Sequence, residues 1–189
     1  MKIYFIRHGE TDANKFEGGS EKLNTEGKQQ LKFLVEYLKH LDFDLLISSD
    51  LERAMDTAKQ IQKAKKIKKI KIIPELREIY RGIVGGPKIQ GETPNIREEK
   101  NNVETAWKKI TGLKKKNIAV VCHGNVIRYM IGKALNVKKK DLWRIVVDNC
   151  SVTEMEVLNK RILLVSINEH RHITYNERRR YKDTIISLK

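Results

Sequence analysis

Cysteine is scarce in this sequence, which holds only Cys122 and Cys150 among its 189 residues. The two lie far apart, so the sequence shows no framework of disulfide bonds. Neither cysteine has the spacing to the five histidines that a zinc site requires. We interpret both as reduced thiols that are partly buried.

Long apolar stretches are also absent, and none is long enough to cross a lipid bilayer. The apolar run at residues 3–6 is far too short for a secretory signal, and Arg7 follows it at once. Hydrophobic residues make up 40% and charged residues 33% of the sequence, a balance typical of a globular protein rather than a disordered one. We therefore expect a cytoplasmic protein that has no membrane partner.

Basic residues are in excess, and the formal net charge is +15. Such a charge is compatible with nucleic acid, a membrane surface or an anionic small molecule as a partner. The lysines cluster at residues 63–71, 114–116 and 138–140, each near the expected end of a helix, where cations complement the helix dipole. We interpret these clusters as solvated surface and do not expect nucleic acid as a partner.

Strand and helix signals alternate along the chain, without an internal repeat or a Gly/Ser-rich linker. Strands are expected at residues 2–6, 44–48, 69–73 and 117–122, and a hairpin at 151–158 and 161–167. Helices are expected after Asn24, from Ser49, at 95–113 and at 124–135, with a long loop at 75–94.

This order predicts an α/β fold, a three-layer sandwich with a mostly parallel central sheet and helices on both faces. We expect one domain over residues 1–167. A basic C-terminal tail, residues 168–189, follows it, and the sequence does not place this tail.

Two of the expected helix starts have recognisable capping residues. Asn24 can cap the first helix through its side chain. The sequence Ser49-Asp50-Leu51-Glu52 has the pattern of a capping box, which predicts that a helix begins there and carries Arg53 in its first turn. A helix start also has a partial positive charge that suits a bound anion.

Two of the expected strands end in histidine. The first runs into Arg7 and His8 and the fourth into His123, and glycine directly follows each histidine. Ligands of open α/β sheets bind at the carboxyl ends of the strands, so we expect both imidazoles to face one cleft. Arg7 and Arg53 suit a phosphoryl group there, because a guanidinium presents a planar fork of donors and stays charged.

The ordered set of motifs resembles the histidine phosphatase superfamily, also called the phosphoglycerate mutase-like family. The matching blocks follow the family's order and cover roughly residues 2–165. They are Arg7-His8-Gly9-Glu10-Thr11 with Asn14; Leu23, Gly27 and Gln30; Ser48-Ser49-Asp50-Leu51-Glu52-Arg53-Ala54 with Thr57-Ala58; Leu76-Arg77-Glu78 with Gly82 and Gly86; Gly91-Glu92-Thr93; His123-Gly124; and Asn149-Cys150-Ser151-Val152-Thr153.

The resemblance implies a role for each matching residue. His8 matches the nucleophile that becomes a phosphohistidine, and Glu78 matches the proton donor. The residues that match the phosphate pocket or positions near the phosphate are Arg7, Arg53, His123, Asn14, Gly124 and Asn125. No metal and no cofactor is implied, because the arginines and His123 supply the charge that a metal ion provides elsewhere.

The implied chemistry requires particular protonation states. His8 must be neutral at its attacking nitrogen, so its other nitrogen should donate a hydrogen bond that fixes the tautomer. His123 would donate to a phosphoryl oxygen, whose charge favours the protonated imidazole. Glu78 must hold a proton for the leaving alkoxide, and nearby phosphate charge should raise its pKa.

The region after Glu78 departs from the family pattern. Many relatives have an aromatic residue, often Trp, between two glycines where this chain has Val84. The stretch from Glu78 to His123 is short, so water should reach the phosphohistidine and hydrolyse it. We therefore expect a phosphatase acting on a small phosphomonoester, similar to the alpha-ribazole and broad-specificity members. A phosphoglycerate mutase and a non-catalytic module that binds a phosphorylated ligand or nucleic acid are the alternatives, and a homodimer stays open.

Charged residues on the same loop have two interpretations each. Arg77, Arg81 and Lys88 either bind a second anionic group of the substrate or face water. Of these, we assign Arg81 to substrate binding. Glu92 either guards the cleft or caps a helix.

Two further pairs stand outside the family motifs. Trp107 and Trp143 are expected to serve in packing. His170 and His172 form a His-x-His sequence in the tail, but no cluster of carboxylates or cysteines accompanies them, so we do not expect a metal there.

Overall fold

A computed structural model describes residues 1–14, 20–87, 94–159 and 161–173 of the chain. The strands are β1 (Lys2–Arg7), β2 (Leu45–Ser48), β3 (Ile70–Ile72), β4 (Asn117–Cys122), β5 (Val152–Leu158) and β6 (Arg161–Glu169). They form a six-stranded sheet in the order β3-β2-β4-β1-β5-β6. The pairs among β1 to β4 are parallel, and β5 and β6 add antiparallel strands at one edge.

Helices cover both faces of this sheet. They are α1 (Thr25–Leu38), α2 (Glu52–Lys65), α3 (Ile96–Thr111), α4 (Gly124–Leu135) and the short α5 (Lys139–Leu142). Because side chains alternate along a strand, Phe5 and Ile6 of β1 enter two different cores. Phe5 belongs to the core that includes side chains of α3 and α4, and Ile6 to the core that includes α1 and α2. The predicted α/β three-layer sandwich is confirmed.

The middle of the sheet is formed by the most apolar strand. Residues 118–122 of β4 are fully buried, because β1 and β2 flank the strand and helices cover it above and below. A strand buried on both faces reads as a continuous apolar run, which explains why its limits were predicted without error.

The first helix begins as the sequence predicts. The side chain of Asn24 accepts a hydrogen bond from the backbone N–H of Gly27 at 2.8 Å. A Cβ on Gly27 would lie 2.2 Å from the carbonyl oxygen of Glu10, so only glycine lets α1 approach the chain that leaves β1. This close approach fixes the segment that follows the expected nucleophile.

The predicted capping box at residues 49–52 is wrong. The second helix begins at Glu52 after Leu51, and no side chain caps it. The hydroxyl of Ser49 accepts weakly from the N–H of Leu51 at 3.3 Å and also lies 3.0 Å from Nε2 of His123. Arg53 still lies in the first turn, but Ser49 faces the site rather than the helix.

The end of the predicted domain falls inside a strand. β6 continues to Glu169, past residue 167, and Ile173 is buried at 2% exposure in the same core as α1 and α2. Residues 168–173 are therefore part of the fold, because β6 pairs with β5 as far as Glu169. The remainder of the predicted tail lies outside the described residues, as does Lys160 of the hairpin turn.

The predicted long loop after β3 contains two short 3-10 helices, Pro74–Leu76 and Arg81–Val84. Val84, an aliphatic residue of the second of these helices, is fully buried in the core. Within the described residues, no helix is both long and apolar enough to pass through a membrane.

Candidate active site

The sheet brings the two histidines side by side. β1 and β4 are parallel neighbours, and Arg7 is paired with Cys122 in the register. His8 and His123 are the next residue on each strand, so both leave the sheet at the same edge. Their ring centroids are 5.1 Å apart, and both side chains are buried. His8 and His123 are 115 positions apart in the sequence, and the pairing of β1 with β4 brings them together as predicted.

His8 is held in one tautomer by contacts on both ring nitrogens. Its Nδ1 lies 2.7 Å from the carbonyl oxygen of Gly9, which can only accept, so Nδ1 carries the hydrogen. Nε2 therefore has the lone pair, and Nε of Arg53 donates to it at 3.1 Å. Burial lowers the pKa of His8 well below its ordinary value, and the neighbouring His123, Arg7 and Arg53 lower it further. The imidazole is neutral and fixed in one tautomer.

The backbone around His8 is held by the turn that leads into β5. The side-chain amide of Asn149 donates to the carbonyl oxygen of His8 at 3.0 Å, and the N–H of Cys150 donates to that of Arg7 at 3.0 Å. The N–H of Gly9 donates to the hydroxyl of Thr57 on α2 at 3.1 Å. His8 thus lies on a backbone that this turn and α2 both restrain.

Two guanidinium groups lie next to the imidazoles. Arg7 is buried and donates through Nη1 to the carbonyl oxygen of Val147 at 2.7 Å. Arg53 approaches from the first turn of α2, where it contacts His8 and forms an ion pair with Glu21. Both cations lower the pKa of His123, whose burial is the largest cause of that shift.

His123 has one nitrogen engaged and one available. Nε2 meets the hydroxyl of Ser49, and Nδ1 is buried without a hydrogen-bond partner among the residues that the structure describes. Burying a ring nitrogen without a partner costs free energy in an empty site, and a ligand oxygen that forms a hydrogen bond with it removes that cost.

Glu78 reaches the same cleft from the loop after β3. Its Oε1 accepts from the N–H of Ile79 at 3.2 Å and from the N–H of Asn125, at the start of α4, at 3.1 Å. The side chain of Asn125 donates back to the carbonyl oxygen of Ile79 at 3.0 Å, which ties the loop to the helix. Burial raises the pKa of Glu78, and Arg7 and Arg53 oppose part of that rise.

The cleft in front of these groups has a volume of about 480 Å³. Its lining includes His8, Arg53, Glu78, Asn125, Arg81, Ala13, Glu21, Ile79, Tyr80, Pro94 and Glu99. The lining thus includes a neutral imidazole, two arginines (Arg53 and Arg81) and a carboxyl of raised pKa. This is the set of groups that phosphoryl transfer requires.

Residues 3–170 match the sequence profile of the histidine phosphatase superfamily (branch 1). The chain belongs to this family. The predicted enzyme class, a phosphatase of the histidine type, is confirmed at this level.

Several curated relatives of this chain are named as phosphatases. A broad-specificity phosphatase of Saccharomyces cerevisiae is 27% identical over 92% of this chain and 87% of its own length. An adenosylcobalamin/alpha-ribazole phosphatase of Escherichia coli is 26% identical over 89% of this chain and 96% of its own. The crystal structure of the alpha-ribazole phosphatase from Shigella flexneri shares the fold, with a TM-score of 0.76 at 23% identity over 90% of this chain and 97% of that one.

The structure brings most of the predicted site residues of this histidine phosphatase together. Gly124 lies against Arg7, since a Cβ on it would be 3.5 Å from Nε of that arginine. Arg81 lines the cleft, where its guanidinium lies over the ring of Trp143 at 5.8 Å. The side chain of Asn14 lies outside the described residues, so its role stays a prediction.

Other charged residues of the loop do not face the cleft or cannot be placed. Arg77 is exposed and pairs with Asp50, donating through Nε at 2.8 Å, so it is a surface ion pair. Lys88 and Glu92 lie outside the described residues. The structure also adds Ser49 and Glu21, which sequence reasoning missed. Ser49 was assigned to a helix cap, and Glu21 lies in no motif.

The two tryptophans and the two tail histidines have structural contacts. Trp107 is buried in the core with α4, and Trp143 also lies under the guanidinium of Arg128 at 4.8 Å. His172 stacks on Tyr37 with ring centroids 4.7 Å apart. No group of three or more metal-ligating side chains occurs within the described parts of the chain.

Proposed function

We propose that this histidine phosphatase hydrolyses small anionic phosphomonoesters through a phosphohistidine formed at Nε2 of His8. The observation that carries the proposal is the pair of contacts on its ring: Nδ1 is tied to the carbonyl oxygen of Gly9, and Nε2 faces Arg53. A neutral imidazole with its lone pair directed at an arginine cluster is suited to attack a phosphorus atom that the cluster binds.

The reaction has two displacements. In the first, Nε2 of His8 forms a bond to phosphorus as the ester P–O bond breaks, and Glu78 gives its proton to the leaving oxygen. In the second, water attacks the same phosphorus, the P–N bond breaks, and Glu78 takes a proton from that water. Inorganic phosphate leaves, and both side chains return to their starting protonation states.

The charge on the transferred group is balanced by the protein itself. Arg7 and Arg53 supply two permanent positive charges beside His8, and Nδ1 of His123, which has no partner among the described residues, donates to a phosphoryl oxygen while Nε2 accepts from Ser49. Electrostatic stabilisation of this kind is the role that metal ions have in many other phosphoryl-transfer enzymes. We therefore propose that activity does not require a divalent cation.

The substrate is proposed to have a second anionic group. Arg81 lines the cleft and forms no ion pair within the described residues, so its charge is available to a ligand. Stacking on Trp143 restricts the guanidinium and lowers the entropy that it loses on binding. The family relatives named as broad-specificity and alpha-ribazole phosphatases support a compact phosphomonoester as the substrate class.

The proposal is tested by phosphate release from p-nitrophenyl phosphate and from a panel of phosphorylated metabolites, with His8→Ala as the control. We expect turnover in wild type, none in the variant, and no effect of EDTA. Rapid quenching in base should trap phosphate on His8, because phosphohistidine survives base and is lost in acid. Equal turnover in His8→Ala, or loss in EDTA that Mg²⁺ restores, would overturn the mechanism. Isomerisation of 3-phosphoglycerate in place of phosphate release would favour the mutase.

A further inference from the structure

Glu21 forms an ion pair with the arginine that contacts the nucleophile. Its carboxylate meets Nη1 of Arg53, and both residues line the cleft. The side chain of Glu21 is 59% exposed, whereas that of Arg53 is only 13% exposed. The carboxylate therefore enters from solvent and meets a cation that the protein has largely removed from water.

We infer that Glu21 is an internal competitor of phosphate for Arg53, which weakens phosphate binding and promotes release of the product. The inference deepens the proposed function and rests on it for the kinetic consequence alone. The anion affinity of the site, which is the direct consequence, can be measured without turnover.

The position of Glu21 is determined by the fold on both sides of the residue. The N–H of Ala13 donates to the carbonyl oxygen of Ser20 at 3.1 Å, and Thr11 forms a bridge with the buried Leu23. The turn that carries Glu21 is thus attached to the segment leaving β1. Since that segment also carries His8, the backbone of Glu21 is held near His8, and its exposed side chain can meet or leave Arg53.

Arg53 has two contacts that a phosphoryl group must replace. Nε donates to Nε2 of His8, and Nη1 donates to Glu21. The lone pair of His8 becomes available for attack only when Nε turns to an incoming oxygen. The Nη1 contact is then open to a second phosphoryl oxygen, whose negative charge repels the carboxylate of Glu21.

The exchange is reversible and favours an empty site. When phosphate leaves, the partly buried Arg53 lies beside Arg7 and a neutral imidazole, and it needs a counter-charge beyond the carboxyl of Glu78, whose pKa is raised by burial. Glu21 supplies that counter-charge, which stabilises the empty site relative to the occupied one. Neutralising Glu21 should remove this stabilisation of the empty site, so that phosphate binds Arg53 without competition.

The decisive variant is Glu21→Gln, which keeps the shape of the side chain and removes its charge. We expect inorganic phosphate and orthovanadate to bind about tenfold more tightly to Glu21→Gln than to wild type, as measured by titration calorimetry. In steady state, the inhibition constant of phosphate should fall by a similar factor. Glu21→Asp retains the charge on a shorter side chain, so its phosphate affinity should stay close to that of wild type.

Glu52 offers a matched control at the start of α2. It is exposed and forms a 3.7 Å ion pair with Lys22, outside the cleft. Glu52→Gln changes the net charge by the same amount, so it reports any general effect of charge on anion binding. Phosphate affinity in Glu21→Gln that is equal to or weaker than in wild type or Glu52→Gln would overturn the inference.

The inference and the proposed function fail in different ways. If no phosphomonoester is hydrolysed but phosphate still binds more tightly to Glu21→Gln, the competition stands and the proposed reaction fails. If esters are hydrolysed and Glu21→Gln binds phosphate no more tightly, the reaction stands and the competition is refuted. Melting temperatures of the variants verify that each comparison is made between folded proteins.

Discussion

The hydroxyl of Ser49 lies 3.0 Å from Nε2 of His123, across the edge of the sheet. Both groups are buried, and Ser49 has a further contact with the N–H of Leu51. The hydroxyl therefore holds the imidazole so that Nδ1 is the nitrogen left for a ligand. His123 depends on a residue at the end of β2 for its orientation.

Replacement of Ser49 by alanine should reduce activity while the fold persists. Without the hydroxyl, the ring of His123 can rotate, and its Nε2 is left buried without a partner. We expect kcat/KM to fall about tenfold, which corresponds to a hydrogen bond of roughly 1.4 kcal/mol. Ser166→Ala, on the distant edge strand β6, is the control. A wild-type kcat/KM in Ser49→Ala would show that His123 is oriented by other contacts.

Glu78→Gln should separate substrates by their leaving groups. The raised pKa of Glu78 keeps the carboxyl protonated to a higher pH than an ordinary glutamate, so it can donate to an alkoxide. Without the proton donor, we expect the hydrolysis of alkyl phosphates to slow by about a hundredfold or more. The rate with p-nitrophenyl phosphate should fall far less, because that leaving group needs no proton. The measurement is kcat for both classes, and an equal loss for both would contradict the assignment.

The same carboxyl should shape the pH profile. As pH rises through the folded-state pKa of Glu78, the fraction of enzyme that holds the proton declines, and kcat for alkyl phosphates in wild type should decline with it. The pH profile of Glu78→Gln should lack this decline of kcat at high pH.

Folding stability should decrease in mild acid because of the buried histidines. The pKa of His8 is lowered well below its ordinary value, so below about pH 6.5 the unfolded chain binds a proton that the folded chain rejects. The stability that the neutral state of His8 contributes is therefore fully present above that pH, and it is lost as the pH falls toward the folded-state pKa. Melting temperatures between pH 7.5 and 5 should fall less steeply in His8→Asn than in wild type. His40→Asn, at an exposed histidine, should follow the wild-type slope.

Arg81 and Arg77 form a matched pair for testing substrate recognition. Arg81→Ala removes a cation that lines the cleft, whereas Arg77→Ala removes one that is paired with Asp50 at the surface. With a phosphomonoester that carries a carboxylate, we expect Arg81→Ala to raise KM about tenfold. Arg77→Ala should change it little. A similar rise with p-nitrophenyl phosphate in Arg81→Ala would place the cation at the phosphate instead of at a second group.

Asn168 should stabilise the backbone next to His8. Its side chain accepts from the N–H of Asp148 at 2.6 Å and donates to Oδ2 of Asp148 at 2.9 Å. Asp148 precedes Asn149, which donates to the carbonyl oxygen of His8. Asn168 also has a positive φ of 52°, which asparagine tolerates better than alanine.

We expect Asn168→Ala to cost about 2 kcal/mol in the free energy of unfolding, measured by urea denaturation. The control is Asn159→Ala, at a residue with φ of 55° in the hairpin turn and no side-chain hydrogen bond within the described residues. It should cost about 1 kcal/mol, because it loses only the backbone preference. Equal costs for the two variants would mean that the contacts with Asp148 contribute nothing.

Much of the fold follows from patterns that are local in the chain. The apolar run at residues 118–122 indicates a strand buried on both faces, and the apolar spacing of α1 indicates a helix buried on one face. Both patterns are local in the sequence, so β4 and the helix after Asn24 were predicted from it. The two histidines at strand ends were found for the same reason, since parallel strands deliver their carboxyl ends to one edge. Arg53 was proposed for its guanidinium chemistry and its place in the first turn of a helix, whereas Glu78 was assigned through the resemblance to the family.

The remaining features depend on contacts between distant segments. The pattern at Ser49 is that of a capping box, yet its hydroxyl meets a histidine 74 positions later, because β2 and β4 end side by side. Glu21 belongs to no motif, and its meeting with Arg53 depends on how the turn before α1 packs against the segment after β1.

Periodicity and short motifs determined where the strands and helices lie and which side chains can do phosphoryl chemistry. The tertiary structure decided the partners of those side chains: the tautomer of His8, the counter-charge of Arg53 and the support of His123. Local backbone preferences act over a few residues, whereas these contacts join residues tens of positions apart and exist only once the sheet and its two helical layers have packed.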